Sequence, residues 1–238
     1  AGTNLRYYIH DAFPPQDVCY SYNPETLGFR GSTKQPICLP PRTLQAAKPA
    51  AIRKFRVVFG HVRFDGLPDV PEARFGTFLR RPMDRITSWF SHVERNNAGS
   101  QKLLSDIRGQ KQSYDALIRA HRILELDNWQ VRVVAGCRAR FGEVSEADFK
   151  RACRNIEARF AFVGITERFS ECVDLMVDKL DLPRMDIPVD MHKAPKQHRD
   201  PGAGSDAFYA KWDQKLYEYA DALLSEQLDA HAQRSLAP

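Results

Sequence analysis

Apolar residues recur along the chain with two different spacings, and the alternation between them predicts the elements. Residues 4–13, NLRYYIHDAF, place Leu5, Tyr8, Ile9 and Phe13 three to five positions apart, which predicts one face of a helix. Residues 14–50 lose that rhythm. They are rich in Pro, Gly, Ser and Thr and predict irregular structure, with at most a short strand around VCYSY. FRVVFGHV, 55–62, has the β-branched and aromatic content of a strand that ends near Gly60 and His61. A loop, RFDGLPDVPEA, leads to a further strand, RFGTFL. Pro82 then falls where a first helical turn tolerates proline, and Ile86, Trp89, Phe90 and Val93 give the following helix its apolar face. Helical pieces are predicted around KLLSDI and YDALIRAHRILE. FAFVGI, 160–165, is another strand, and Phe169, Cys172, Val173, Met176 and Leu180 line the helix after it. A last helix, roughly 205–230, carries Phe208, Trp212, Leu216, Tyr219 and Leu223 on one stripe.

Strands alternating with helices predict an α/β fold with a parallel sheet covered by helices on both faces. The 238 residues suffice for one such domain with a real core, and no internal repeat is visible. In folds of this kind ligands collect at the carboxyl ends of strands. His61, Arg80 and Glu167 each fall just after a predicted strand, and that coincidence outweighs any one of them.

Composition changes this picture little. Hydrophobic residues make up 43% and charged residues 27%, a globular balance that argues against disorder. The net charge of +5 suits an anionic ligand but does not by itself indicate a nucleic-acid partner, and none is expected. Cys19, Cys38, Cys137, Cys153 and Cys172 are scattered, without a CxxC pair or metal-ligand spacing, and read as reduced thiols. Cys19 and Cys38 would pair only in an oxidising compartment. No run is long and apolar enough to cross a membrane. A cytoplasmic location is the expectation, with an anchor ahead of Ala1 left open.

Two stretches carry candidate chemistry. In RFGTFLRRPMDRITSWF, 74–90, Arg80 leaves a strand directly before a helix N-terminus, so a guanidinium fork and free backbone N–H groups are offered to one anion. Ser88 adds a hydroxyl from the same helix. Arg81, Asp84 and Arg85 read instead as a solvated face with pairs three and four residues apart. At the start of the chain, AGTNLR sets small residues and a hydroxyl residue before a helix, a pattern suited to cradling a phosphate. No GxxxxGK[ST] is present, so this is not a Walker A loop.

Together these stretches resemble the carbohydrate sulfotransferases of the bacterial and Golgi 2-O-sulfotransferase type, which use 3′-phosphoadenosine 5′-phosphosulfate (PAPS). The family's 5′-phosphosulfate loop reads roughly PKTAGTSL, against AGTNL here. Its 3′-phosphate motif reads roughly TFLRDPVERVLSHY, against TFLRRPMDRITSWF. The family's GH after a strand is matched by FGHVRF, its DNLQTRFLAG by DNWQVRVVAG, and its VGLTERFDES by VGITERFSEC.

The resemblance implies a P-loop-like parallel sheet flanked by helices, the sulfotransferase fold, in one domain over residues 1–238 that begins inside the 5′-phosphosulfate loop. It implies that Ala1, Gly2, Thr3 and Asn4 contact the 5′-phosphosulfate, that Arg80 and Ser88 hold the 3′-phosphate, and that His61 is the general base. Three departures stand out: the loop lysine is not in this sequence, Asn4 replaces a Ser or Thr, and Arg81 replaces an Asp. PAPS would be the co-substrate, with no metal or redox cofactor, and the acceptor a hydroxyl of a saccharide or another small hydroxylated molecule. Arg63, Asn128, Gln130 and Arg132 would either face that acceptor or form an ordinary network beneath the sheet edge. Glu167 reads either as a second base or as the structural partner of an arginine, and the structural role is the one expected. Lys193, Lys196 and Arg199 fall where the family folds a segment over the adenosine; a solvated loop is the alternative. The competing functional class is a P-loop-type nucleotide-binding protein or kinase, which would need an acidic Mg²⁺ ligand.

Overall fold

The computed structural model describes residues 2–22, 37–96, 99–109, 112–185 and 207–236. Along the chain they form α1 (Gly2–Ala12), β1 (Val18–Ser21), β2 (Ile37–Cys38), α2 (Pro41–Gln45), α3 (Pro49–Ile52), β3 (Val57–Gly60), β4 (Phe75–Leu79) and α4 (Pro82–Asn96). Then come α5 (Gln101–Arg108), α6 (Tyr114–His121), α7 (Trp129–Ala135), α8 (Glu146–Arg159), β5 (Phe160–Ile165), α9 (Phe169–Leu180) and α10 (Lys211–Leu236).

The protein is α/β, with short parallel strands flanked by helices. The strands form two groups, ordered β2-β1-β3 and β4-β5, and every pairing is parallel. The expectation of one continuous sheet is corrected to this extent. Between β3 and β4 the chain makes a 3₁₀ turn at Phe64–Gly66 and a loop containing two prolines. No crossover helix is there to carry β4 back alongside β3, as parallel neighbours usually require.

Local sequence explains where the elements begin and end. Pro82 opens α4, where its missing N–H costs nothing. Ser100 and Ser113 cap α5 and α6 by accepting from Leu103 N–H (3.1 Å) and Ala116 N–H (3.2 Å). Ser145 and Asp148 form a reciprocal capping box at the start of α8. β5 is buried along Phe162–Ile165, as expected of a strand covered on both faces. Gly164 permits its pairing with β4, because a Cβ there would lie 2.5 Å from the Phe78 ring.

Most of the core is one cluster that joins α1, β1, β4, β5 and α7 through α10, centred on Phe162, Ile165, Val131, Leu175, Met176 and Leu216. A second cluster, including Ile86, Phe90, Ile107, Leu117 and Ile118, ties α4 to α5 and α6. The apolar stripe read for α4 holds at Ile86, Phe90 and Val93, which are buried. The strands expected at VCYSY, RFGTFL and FAFVGI are present, and the strand read at FRVVFGHV is confined to Val57–Gly60. Within 14–50, however, β2, α2 and α3 also form, and α7 and α8 were not foreseen. The last helix begins at Lys211 and extends to Leu236. The basic loop with Lys193, Lys196 and Arg199 lies outside the described residues. Among the described residues, no helix is long and apolar enough to cross a membrane.

Candidate functional site

His61 is placed by the end of β3. Ser21 pairs with Gly60, and a Cβ on Gly60 would lie 2.5 Å from the Ser21 carbonyl oxygen, so only glycine lets the two strand ends close here. Alternation along the strands puts Tyr20, Tyr22, Phe59 and His61 on one face. The ring contacts agree: Tyr20 and Tyr22 each lie 6.2 Å from Phe59, and Tyr22 meets His61 edge-on at 5.2 Å. Arg6 of α1 brings its charge toward Tyr20 and Tyr22. His61 is exposed at the surface. Crowding by the protein holds its imidazole below the ordinary value of 6.5, and the positive charges of Arg85 and His92 act in the same direction.

That last observation brings β3 and α4 together. Arg85, Ser88 and His92 stand three and four residues apart, so they share one side of α4, and Arg85 and His92 on that side act electrostatically on His61. Arg85 is partly buried, not the fully solvated side chain the sequence suggested. Its Nη2 donates to the Glu125 carbonyl (2.6 Å), while its Nε is sealed from solvent with no acceptor among the described residues. Burial lowers the basicity of this guanidinium; Asp213 and Glu125 oppose the shift and Arg80 adds to it. Arg80 and His61 therefore both lie within electrostatic reach of Arg85. Arg81 does conform to expectation, with its side chain exposed and 3.8 Å from Asp84.

Arg80 leaves β4 as expected, and its side chain is 38% exposed. Its backbone is clamped by Gln130: Arg80 N–H donates to Oε1 (2.7 Å), and Gln130 Nε2 donates to the Arg80 carbonyl (2.9 Å). Glu167 Oε1 accepts Arg81 N–H (3.1 Å) and lies 4.0 Å from Arg80 Nε. The N-terminus of α4 is thus not a set of free donors. Glu167 occupies one of them, the structural partnership read for it, and the Arg80 fork beside it stays partly exposed. Ser88 is partly buried, and its hydroxyl has no partner among the described residues.

The remaining predicted residues are less concentrated. Ala1 lies outside the described residues, as do the side chains of Gly2 and Thr3; the reading of these small residues as a loop before the helix is corrected, because Gly2, Thr3 and Asn4 form the first turn of α1, and Asn4 is buried there. Arg63 sits before the 3₁₀ turn with Nε 3.4 Å from Asp65 Oδ1, a carboxylate it shares with Arg138 at 2.8 Å.

Arg132 requires a correction. It is 1% exposed and donates to the Asp127 carboxylate and to the carbonyls of Asp127, Ala139 and Arg140. A guanidinium enclosed this way has no face left for an acceptor. Asn128 and Gln130 belong to the same network. Asn128 Oδ1 accepts from Trp212 N–H and Asp213 N–H, and Asp213 in turn accepts from Gln130 N–H and Val131 N–H. Of the two alternatives open for this segment, the network beneath the sheet edge is the one realised.

Sequence reasoning passed over Arg85, Tyr22 and Asp213. For Arg85 a signal existed, since it shares a helical side with Ser88; for Asp213 there was none, because α10 reaches this region only in the folded chain. Burial raises the Asp213 carboxyl to about 6. Among the described residues, no group of three or more His, Cys, Asp or Glu side chains is arranged to hold a metal ion. No protein-family model matches the chain, and no curated protein matches it.

Proposed function

We propose that the chain is a sulfotransferase that moves a sulfuryl group from PAPS to a hydroxyl of a saccharide or other small hydroxylated acceptor. The observation that carries this reading is that His61 directly follows β3 and Arg80 directly follows β4, with Ser88 further along the helix that Arg80 introduces. A proton acceptor and a guanidinium fork, each just past a strand end, suit the transfer of an anionic group to a hydroxyl.

Each group has a role in that chemistry. As the acceptor oxygen bonds to sulfur, His61 takes its proton; the bond from sulfur to the bridging oxygen breaks, and the electron pair leaves with 3′-phosphoadenosine 5′-phosphate (PAP). Such transfers depend mainly on positioning and on stabilising charge at the leaving oxygens. Arg80 and Ser88 are suited to the 3′-phosphate as a charged fork and a neutral donor. Glu167 beside Arg80 sets a requirement, because the phosphate would have to share the arginine with a carboxylate or displace it. The first residues of the chain, through Asn4, would receive the 5′-phosphosulfate, in the P-loop-like arrangement implied by the resemblance.

Calorimetric titration with PAP, with ATP as the control, tests the reading. PAP is expected to bind more tightly than ATP, and Arg80→Ala to weaken PAP by about 1.5–3 kcal/mol, the range for a hydrogen bond to a charged group. Tighter ATP binding that depends on Mg²⁺ would favour a P-loop-type nucleotide-binding protein or kinase instead. Unchanged PAP affinity in Arg80→Ala would remove Arg80 from the donor site.

A further inference from the structure

Arg80 stands between the last residue of β4 and the first turn of α4, so its peptide groups lie outside both elements. Backbone polar groups at such a junction need partners from elsewhere. One side chain supplies both: Gln130 Oε1 accepts Arg80 N–H at 2.7 Å, and Gln130 Nε2 donates to the Arg80 carbonyl at 2.9 Å. An amide carries a donor and an acceptor in one plane, matched to the two peptide groups of a single residue. The N–H requires the oxygen and the carbonyl requires the NH₂, so the amide can sit only one way round. Gln130 is itself fixed. It is 6% exposed in the first turn of α7, where its N–H and that of Val131 donate to the Asp213 carboxylate at 3.2 and 2.8 Å.

We propose that Gln130 is the positioning residue of the anion site: it does not touch the anion, and by fixing the Arg80 peptide it sets where the guanidinium fork points. This rests on the anion-binding role given to Arg80 above. An arginine recognises a phosphate through a planar, two-point geometry, so a fork aimed wrongly loses much of its contact. A junction that had to be ordered on binding would also subtract its entropy from the affinity, and the clamp removes that cost in advance.

The contrast with Arg132 supports this role. Arg132 spends its guanidinium on the Asp127 carboxylate and three carbonyls, the pattern of a structural arginine. At Arg80 the arrangement is reversed. The backbone is held by Gln130, the next N–H by Glu167 at 3.1 Å, and the guanidinium stays 38% exposed with Glu167 Oε1 only as near as 4.0 Å. A held backbone with a free head is the arrangement of a binding side chain. The clamp bonds only to backbone, however, so it would serve the fold equally well with another residue at position 80, and the experiment must separate the two roles.

A double-mutant cycle on the full chain does so, read by calorimetric titration with inorganic pyrophosphate as the probe. Gln130→Met is expected to weaken pyrophosphate binding roughly tenfold, the scale of one or two lost hydrogen bonds, and Arg80→Ala to weaken it at least as much. In the Arg80→Ala background, Gln130→Met should add less than about twofold, because residues that act through one another are not additive. A folded Gln130→Met protein with wild-type pyrophosphate affinity overturns the proposal. So do losses that simply add in the double variant, and so does failure of pyrophosphate to bind the wild type. If Gln130→Met does not fold by circular dichroism, hydrogen exchange of the Arg80 amide in the wild type decides. Protection already complete without pyrophosphate supports a fork set in advance; protection that appears only with pyrophosphate, or exchange as fast as an exposed amide, overturns it. A protein that passes the cycle but shows no preference for PAP over ATP would lose the sulfuryl-transfer reading and keep this one; PAP binding that Gln130→Met leaves unchanged would do the reverse.

Discussion

His61 shows how much a single side chain owes to its surroundings. A histidine at a strand end is usually a structural hydrogen-bonder, and the Gly-His pair alone says little about chemistry. Here the ring is crowded by Tyr22 and faces Arg85 and His92, so protonation is disfavoured and the neutral, proton-accepting form persists to lower pH than usual. Because the shift is downward, the acidic limb of kcat/KM, which reports the free enzyme, should lie below pH 6.5. His61→Ala should cut turnover by roughly 10²–10⁴-fold, the usual worth of a general base, while PAP affinity changes little. Turnover that survives the substitution would end this assignment. Arg85 teaches the opposite lesson. Its spacing from Arg81 looked like an ordinary solvated face, and only the packing of the segment around Glu125 turned it inward.

At the scale of elements, the legible parts were those with a strong local signal. The apolar runs of β4 and β5 and the 3.6-residue stripes of α4 and α9 were visible because burial imposes them directly on sequence. α8 was missed although its signal was present. SEAD, at 145–148, is a serine followed three residues later by an acid, and in the fold it closes as a capping box: Ser145 N–H donates to Asp148 Oδ2 at 2.9 Å, and Ser145 Oγ accepts from Asp148 N–H at 3.4 Å. The helix behind it is polar overall and buries only Ala152 and Ile156 fully, so its apolar periodicity is weak. Ser145→Ala should therefore destabilise the protein by about 0.5–2 kcal/mol, read from the urea midpoint. A midpoint that does not change would mean that tertiary packing alone holds the start of α8.

At the scale of the whole molecule, the Arg132 network links distant parts of the chain. Arg132 grips Asp127 and the 139–140 backbone, Gly142 N–H donates to Asp127, and Asn128 binds the start of α10 through Trp212 and Asp213. Arg132→Met would leave the Asp127 carboxylate buried without its countercharge, and removing one partner of such a pair costs about 3–5 kcal/mol. Denaturant unfolding should show a loss of that size, with PAP affinity preserved in protein that remains folded. A stable Arg132→Met protein that lost only acceptor binding would restore Arg132 to the substrate site.

The sequence by itself determined the α/β class, the positions of four of the strands, and the delivery of His61 and Arg80 to strand ends, because hydrophobic periodicity and turn chemistry act over a few neighbouring residues. Only the tertiary structure decided which charges share an environment. It turned Arg85 toward His61, set Glu167 against the start of α4, and enclosed Arg132 rather than exposing it. The first two outcomes depend on partners 40 to 86 positions away in the chain, such as Glu125 for Arg85, Gln130 for Arg80 and Glu167 for Arg81; Arg132 takes partners five to eight positions away, and it is packing around them that buries it. No local pattern encodes such distances, since a charged side chain reads the same in sequence whether folding buries it or leaves it in water.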